Sequence, residues 1–163
     1  KTLFPYTTLF RSEVMPTHAE RRTLPYTAVQ LYELVADVER YPEFLPWCRS
    51  CRIKRREADG HILHADLIIG YKMFQERFGS KVTLTPYSDI KVEYLEGPLR
   101  YLSNHWRFIQ NGDGTSTIDF YVDFEFRNPM FQSLMGVFFN EIVRRMVGAF
   151  EERAGVLYGQ NSQ

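Results

Sequence analysis

The sequence predicts an α+β domain, an antiparallel meander curved around one long C-terminal helix. Three observations point there. From residue 51 to 126 apolar residues recur mainly with a period of two, interrupted by turn signals. After Asn128-Pro129 the period changes to 3.6 and holds to about residue 157. Before the strands, residues 28–38 carry one shorter helical ladder. An antiparallel sheet buries one face, and a single long helix is its natural cover.

Taken in order, residues 17–23 read as a polar, edge-like strand. Thr27 is the expected N-cap of the first helix, whose ladder is Val29, Leu31, Tyr32, Leu34, Val35 and Val38. A second short helical turn follows and ends near Pro42. Residues 41–47 (Tyr-Pro-Glu-Phe-Leu-Pro-Trp) are expected to be extended, because residues preceding proline avoid the α region. A basic strand covers 51–57, and Ala58-Asp-Gly60 turns the chain into a strand over 61–69. Gly70-Tyr-Lys72 interrupts. Over 74–84, Phe74, Glu76, Phe78, Ser80, Val82 and Leu84 share one face. Strands over 90–94 and 99–110 flank the turn Glu96-Gly-Pro98, and Asn111-Gly-Asp-Gly114 is the clearest hairpin signal. Ile118, Phe120, Val122, Phe124 and Phe126 then face inward. Asn128 caps the last helix with Pro129 at N1. Its expected sheet-facing ladder is Phe131, Met135, Phe138, Ile142, Met146 and Phe150, which leaves Val137 and Phe139 pointing away.

Composition narrows the function. The 163 residues fit one domain. Lys+Arg and Asp+Glu are 20 each, so neutrality argues against DNA binding. Two cysteines exclude a disulfide scaffold and suit a reducing compartment. No apolar run approaches the roughly 20 residues that span a bilayer, so any membrane contact is expected to be peripheral. The 13 Phe and 10 Tyr fall mostly in strand-like runs, where they supply apolar wall. Residues 1–12 lack either periodicity and resemble a translated adapter sequence. Residues 1–14 are expected to be a non-native leader, with Met15 as the natural start and the domain over 15–160.

Two blocks carry a family resemblance. Val35-Ala-Asp-Val-Glu-Arg-Tyr-Pro-Glu-Phe-Leu-Pro-Trp-Cys48 resembles the signature of the coenzyme Q-binding START-domain family, and Glu96-Gly-Pro-Leu-Arg-Tyr-Leu-Ser-Asn-His-Trp-Arg-Phe108 is similar to its second block. The resemblance implies a START-like helix-grip fold with an apolar tunnel. It also implies non-catalytic chaperoning of ubiquinone, or another isoprenoid lipid, in support of respiration. No cofactor is implied beyond that bound lipid. The implied location is the bacterial cytoplasm, peripheral at the inner membrane. The same wider family includes bacterial ribosome-association toxins, so binding the large ribosomal subunit is a rival. A polyketide cyclase or dehydratase activity is another, since fold alone does not decide function.

Individual residues sharpen these expectations. The expected lipid-binding wall comprises Phe44, Leu45, Trp47, Phe74, Glu76, Phe78, Val82, Trp106, Phe120, Val122 and Phe124. Phe138, Ile142 and Met146 face it from the helix. A carboxylate at Glu76 among apolar neighbours must be paired, ligand-bonded or protonated. Met130, Val137 and Phe139 are the expected membrane-docking residues. Cys48 and Cys51 form a Cys-x-x-Cys spacing without the helix that activates a thiol, and the histidines lack paired metal spacing, so structural thiols are expected. No nucleophile elbow, phosphate loop or zinc-protease motif occurs, and no catalytic residue is assigned. Arg52, Lys54, Arg55 and Arg56 make a basic strand face that suits RNA, anionic headgroups or simple solvation.

Overall fold

A computed structural model describes residues 17–159, apart from Lys72 and the side chains of Tyr71, Phe74 and Met135. The expected leader at residues 1–14 lies outside the described residues. Seven strands form one antiparallel sheet: β1 (Thr17–Leu24), β2 (Cys48–Glu57), β3 (Ile62–Tyr71), β4 (Phe74–Thr85), β5 (Asp89–Glu96), β6 (Leu99–Gln110) and β7 (Ser116–Phe126). Their order is β1-β7-β6-β5-β4-β3-β2, so the six-strand meander closes with β1 returning beside β7. Helix α1 (Ala28–Ala36) and a 3₁₀ segment (Val38–Glu43) connect β1 to β2 across the sheet, and α2 (Pro129–Tyr158) ends the fold.

Local chemistry sets the element boundaries. Thr27 Oγ1 accepts the Gln30 amide at 3.1 Å, while Gln30 Oε1 accepts the Thr27 amide at 3.0 Å, a reciprocal capping box. Asn128 Oδ1 accepts the Met130 amide at 2.9 Å with Pro129 behind it, so α2 starts where the sequence placed it. At the β5–β6 turn Gly97 holds φ +138, and a Cβ there would lie 2.6 Å from the Arg77 carbonyl oxygen. Only glycine fits both constraints.

Two expectations about local structure are corrected. Residues 41–43 are not extended but end the 3₁₀ segment, with the Phe44 and Leu45 amides donating to the Tyr41 carbonyl at 3.2 and 2.8 Å. Tertiary packing overrides the pre-proline preference: the Tyr41 hydroxyl donates to the Val35 carbonyl, and its ring packs edge-on against Phe44 and Phe150. Nor does Gly70-Tyr71 interrupt a strand, since β3 runs through Tyr71.

The larger correction concerns the phase of α2. Phe139, Val143 and Val147 are buried under the sheet, while Phe138 is 54% exposed. Two neighbouring apolar rows run along this helix, about 100° apart for adjacent residues at 3.6 per turn. Periodicity alone does not choose between them. The sheet chooses the Phe139 row, with the Phe139 ring packed at a tilt against Phe124, centroids 5.2 Å apart.

The core lies between the concave sheet face, α1 and the C-terminal half of α2. Leu31, Val35, Leu63, Val82, Ile90, Trp106 and Ala154 are among its buried members.

Candidate functional site

Strand register defines the concave wall. Leu63 pairs with Val82, Leu67 with Phe78 and Ile69 with Glu76. Val82 pairs with Val92, Ile90 with Trp106, and Val92 with Asn104. Trp106 in turn pairs with Phe120, Asn104 with Val122 and Leu102 with Phe124. Since paired residues share a face, one apolar surface runs from β3 to β7. Trp106 ties it to α2, its ring centroid 4.6 Å from Phe120 and 4.9 Å from Phe150.

Between this wall, α1 and α2 lies an apolar void of about 30 Å³, lined by Leu24, Leu31, Leu34, Val35, Trp106, Ile118, Phe120, Val147 and Phe150. That volume holds one or two waters, whereas ligand pockets run from about 300 Å³ upward. Among the described residues, this void is thus far smaller than the expected ligand-sized tunnel. Only Trp106 and Phe120 of the expected lining residues border the void.

The void has a polar rim that the sequence did not reveal. On β1, His18, Glu20 and Arg22 pair with Val122, Phe120 and Ile118, and so share the concave face. His18 Nε2 lies 3.1 Å from Glu20 Oε2, and the Arg22 guanidinium bridges Glu20 to Glu151 on α2. Burial pushes the Glu20 carboxyl up, but hydrogen bonds from Arg22 and His18 outweigh it and hold it below the usual range. This strand reads as polar throughout. The available signal was Leu24, buried and in phase with these three residues.

On the other side of α2, an open groove of about 580 Å³ runs beside the proline-rich segment, lined by Pro42, Glu43, Phe44, Leu45, Pro46, Arg145, Gly148, Ala149 and Glu152. Phe44 and Leu45 thus face this groove rather than the interior void. At its end the half-buried Trp47 holds φ 64, a left-handed conformation that strains a bulky side chain. Its carbonyl accepts the Gly70 amide at 2.9 Å.

The remaining expected residues divide by depth. Val82 and Val122 are core, while Phe78, Phe124, Ile142 and Met146 are half-buried. The side chain of Phe74 lies outside the described residues. Glu76 is exposed at the end of the wall, so solvent meets the need for a partner that a buried carboxylate would have. Met130 and Val137 are exposed, with Val137 at 76%; Phe139, expected to be exposed, is 4% exposed. Burial pushes the Cys48 thiol up to about 11 and Cys51 to about 12, so neither is a ready thiolate near neutral pH.

Helix α2 is held unevenly. Its C-terminal half is tied by Glu151 to Arg22 and by Arg153 Nη2 to Glu43 at 2.6 Å, with the Arg153 guanidinium 5.3 Å above the Phe44 ring. Among the described residues no ion pair joins residues 129–145 to the sheet. That half rests on ring contacts from Phe131 and Phe139 and on Gln132, which accepts the Phe126 amide at 2.9 Å. Register places the β3–β4 hairpin, the β5–β6 turn and the β7–α2 junction at one end of the fold. Exposed apolar side chains gather there: Met73 at the hairpin tip, Leu95 before the turn, and Met130, Leu134, Val137 and Phe138 on the first turns of α2.

The sequence pattern of the polyketide cyclase / dehydrase and lipid transport family matches residues 24–151. The chain belongs to this family. Among family relatives, coenzyme Q-binding protein COQ10 homolog B, mitochondrial, of Xenopus laevis is 35% identical over 147 residues. The match covers 88% of this chain and 59% of that protein, so the chain spans under two thirds of that relative's length. The ribosome association toxin RatA of Pseudomonas aeruginosa is 34% identical over 146 residues, covering 89% of this chain and 100% of the toxin. A START superfamily protein from Mycobacterium smegmatis superposes with a TM-score of 0.72 at 20% identity, over 86% of this chain and 98% of that one. The two chains therefore share a fold, a curved antiparallel sheet gripping a long C-terminal helix. Among the described residues no helix is long and apolar enough to cross a membrane.

Proposed function

We propose that the chain is a non-catalytic carrier of an isoprenoid lipid, ubiquinone being the first choice. The observation that carries this reading is the unevenly held α2, an apolar cover over an apolar wall, clamped by ions at one half only. Movement of the loose half would open the wall next to the end of the fold where exposed apolar side chains gather. An insoluble ligand has to leave and enter at a bilayer, and such an end suits transient docking. The coenzyme Q-binding name of the Xenopus relative supports the choice of ligand. Catalysis would need an acid and a base convergent on a substrate. On the concave face the His18–Glu20 pair is already engaged by the Arg22–Glu151 bridge, and Glu76 is solvated.

The test is mass spectrometry of lipid extracted from protein purified from a quinone-producing host. Near-stoichiometric quinone is expected. Empty protein that also fails to take up quinone from vesicles overturns the proposal.

A second reading has its own observation. β2 is an edge strand on which Arg52 and Arg56 have no ion-pair partner among the described residues, while Lys54 pairs with Asp66 at 3.3 Å and Arg55 with Glu57 at 2.8 Å. Unpaired guanidinium groups suit phosphate, and the Pseudomonas relative is a ribosome association toxin. Co-sedimentation with ribosomes, lost at high salt and on Arg52→Gln with Arg56→Gln, would favour it over the carrier.

A further inference from the structure

We infer that Asn104 is the polar contact that reads the oxygen of a carbonyl-bearing lipid head group. The inference rests on the carrier proposal and names the group that would set its head-group specificity.

Asn104 sits mid-sheet, between Val92 on β5 and Val122 on β7, with its side chain on the concave apolar face. Such a position normally takes an aliphatic residue, because an amide placed among apolar groups must keep its hydrogen bonds. Its two hydrogen bonds also fix which way the amide points. Trp106 Nε1 is a donor only, so the atom it meets at 3.0 Å is the Asn104 oxygen. Asn104 Nδ2 donates to the Tyr121 carbonyl at 2.9 Å. Both assignments agree, and the amide is locked. Among the described residues, one N–H of Nδ2 and one lone pair of Oδ1 then have no protein partner, on a side chain that is only half-buried.

Other polar groups on this face are less suited. The Ser80 hydroxyl already donates to the Ala65 carbonyl at 3.2 Å, Glu76 is solvated, and the three polar side chains of β1 form the ionic rim at the sheet edge. Asn104 also neighbours Trp106, which lines the void. A flat ring entering the opened interior would lie against Trp106 with a ring oxygen next to the amide. The free N–H donates to a quinone carbonyl, and the free lone pair accepts from a quinol hydroxyl. A locked donor–acceptor pair therefore serves both redox states.

The experiment measures dissociation constants by tryptophan fluorescence quenching with three probes. These are a ubiquinone with a two-isoprene tail, its quinol, and an isoprenoid hydrocarbon of similar length without oxygen. Asn104→Leu should weaken quinone and quinol about three- to tenfold, the worth of one hydrogen bond, and leave the hydrocarbon within about twofold. Asn104→Asp, nearly the same shape, replaces the donor with a carboxylate and should shift the quinol-to-quinone affinity ratio at least about threefold toward quinol. This ratio decides the matter even where Asn104→Leu fails to fold. Equal weakening of all three probes, or an unchanged ratio in Asn104→Asp, overturns the inference while leaving the carrier proposal intact. Wild-type protein that binds none of the probes removes the carrier proposal, and the inference with it.

Discussion

Replacing Phe139 with alanine should cost far more stability than the same change at its neighbour Phe138. Phe139 is 4% exposed and packed against the Phe124 ring, whereas Phe138 is 54% exposed. Truncating a buried phenylalanine removes its transfer free energy and leaves a cavity, typically about 3–5 kcal/mol together. Truncating an exposed one stays within roughly 0.5 kcal/mol. For a chain of this size each kcal/mol moves the melting temperature about 2–4 °C. Phe139→Ala should thus melt roughly 6–20 °C lower and Phe138→Ala within about 2 °C of the parent, both followed by circular dichroism. The contrast is sharp because the residues are adjacent, so helix propensity and chain position are shared. Equal losses, or a larger loss at Phe138, would mean that α2 is rotated by about one residue. The Phe138, Ile142 and Met146 row would then face the wall.

Other expected outcomes follow from the same geometry. Val137→Ser with Phe138→Ser should slow quinone transfer between vesicles at nearly unchanged melting temperature and bound fraction; an unchanged rate excludes docking through this face. Val82→Trp, at a 3% exposed position paired with Leu63 and Val92, should overpack the core by about 1–3 kcal/mol, and a variant of parental stability would show slack there. Glu20 is held below the ordinary carboxylate range, so its contribution is present above about pH 4.3 and lost as pH falls through its folded value. Glu20→Gln should accordingly flatten the acid side of the melting-temperature profile, and an unchanged profile would mean the rim contributes nothing. Cys48→Ser with Cys51→Ser should leave lipid binding intact; its loss would point to a role for these thiols beyond packing.

The parts legible in the sequence were those governed by local rules. The Asn128-Pro129 start, the Thr27 cap and the turn at Asn111-Gly-Asp-Gly114 each follow from backbone chemistry within a few residues. The period-two strands fix their own inward faces, so Val82, Trp106, Phe120 and Val122 were assigned to the correct side of the sheet. What escaped depends on partners distant in sequence. Which apolar row of α2 is buried depends on where the sheet lies. The inward face of β1 looks polar until β7 and Glu151 are placed beside it. Asn104 gives no signal in the sequence, because an asparagine in a strand matters only once its neighbours across the sheet, here Val92 and Val122, are known to be apolar. The void's size follows from side-chain packing, on which a pattern of hydrophobic residues is silent.

That closed void bears on how a lipid would enter. The void lies against Val147, Phe150 and Glu151, on the half of α2 that the ionic links hold; lifting the first half would uncover the wall beside it, exposing chiefly Phe139 and Val143 at roughly 1.5–3 kcal/mol each. One isoprene unit has five carbons and, at about 0.8 kcal/mol per carbon, recovers about 4 kcal/mol on burial. The two sums are of the same order. Lifting the other half would also break the Arg22–Glu151 and Arg153–Glu43 links and uncover Phe150 and Ala154, which nothing in a hydrocarbon tail replaces. A tail therefore compensates for opening at one end of the helix and not at the other. On the carrier proposal, a closed empty form and an open loaded form would then be close in free energy, as uptake and release of a ligand both require. On the same proposal, the ionic links at the C-terminal half would confine such a movement to the end where the exposed apolar side chains stand.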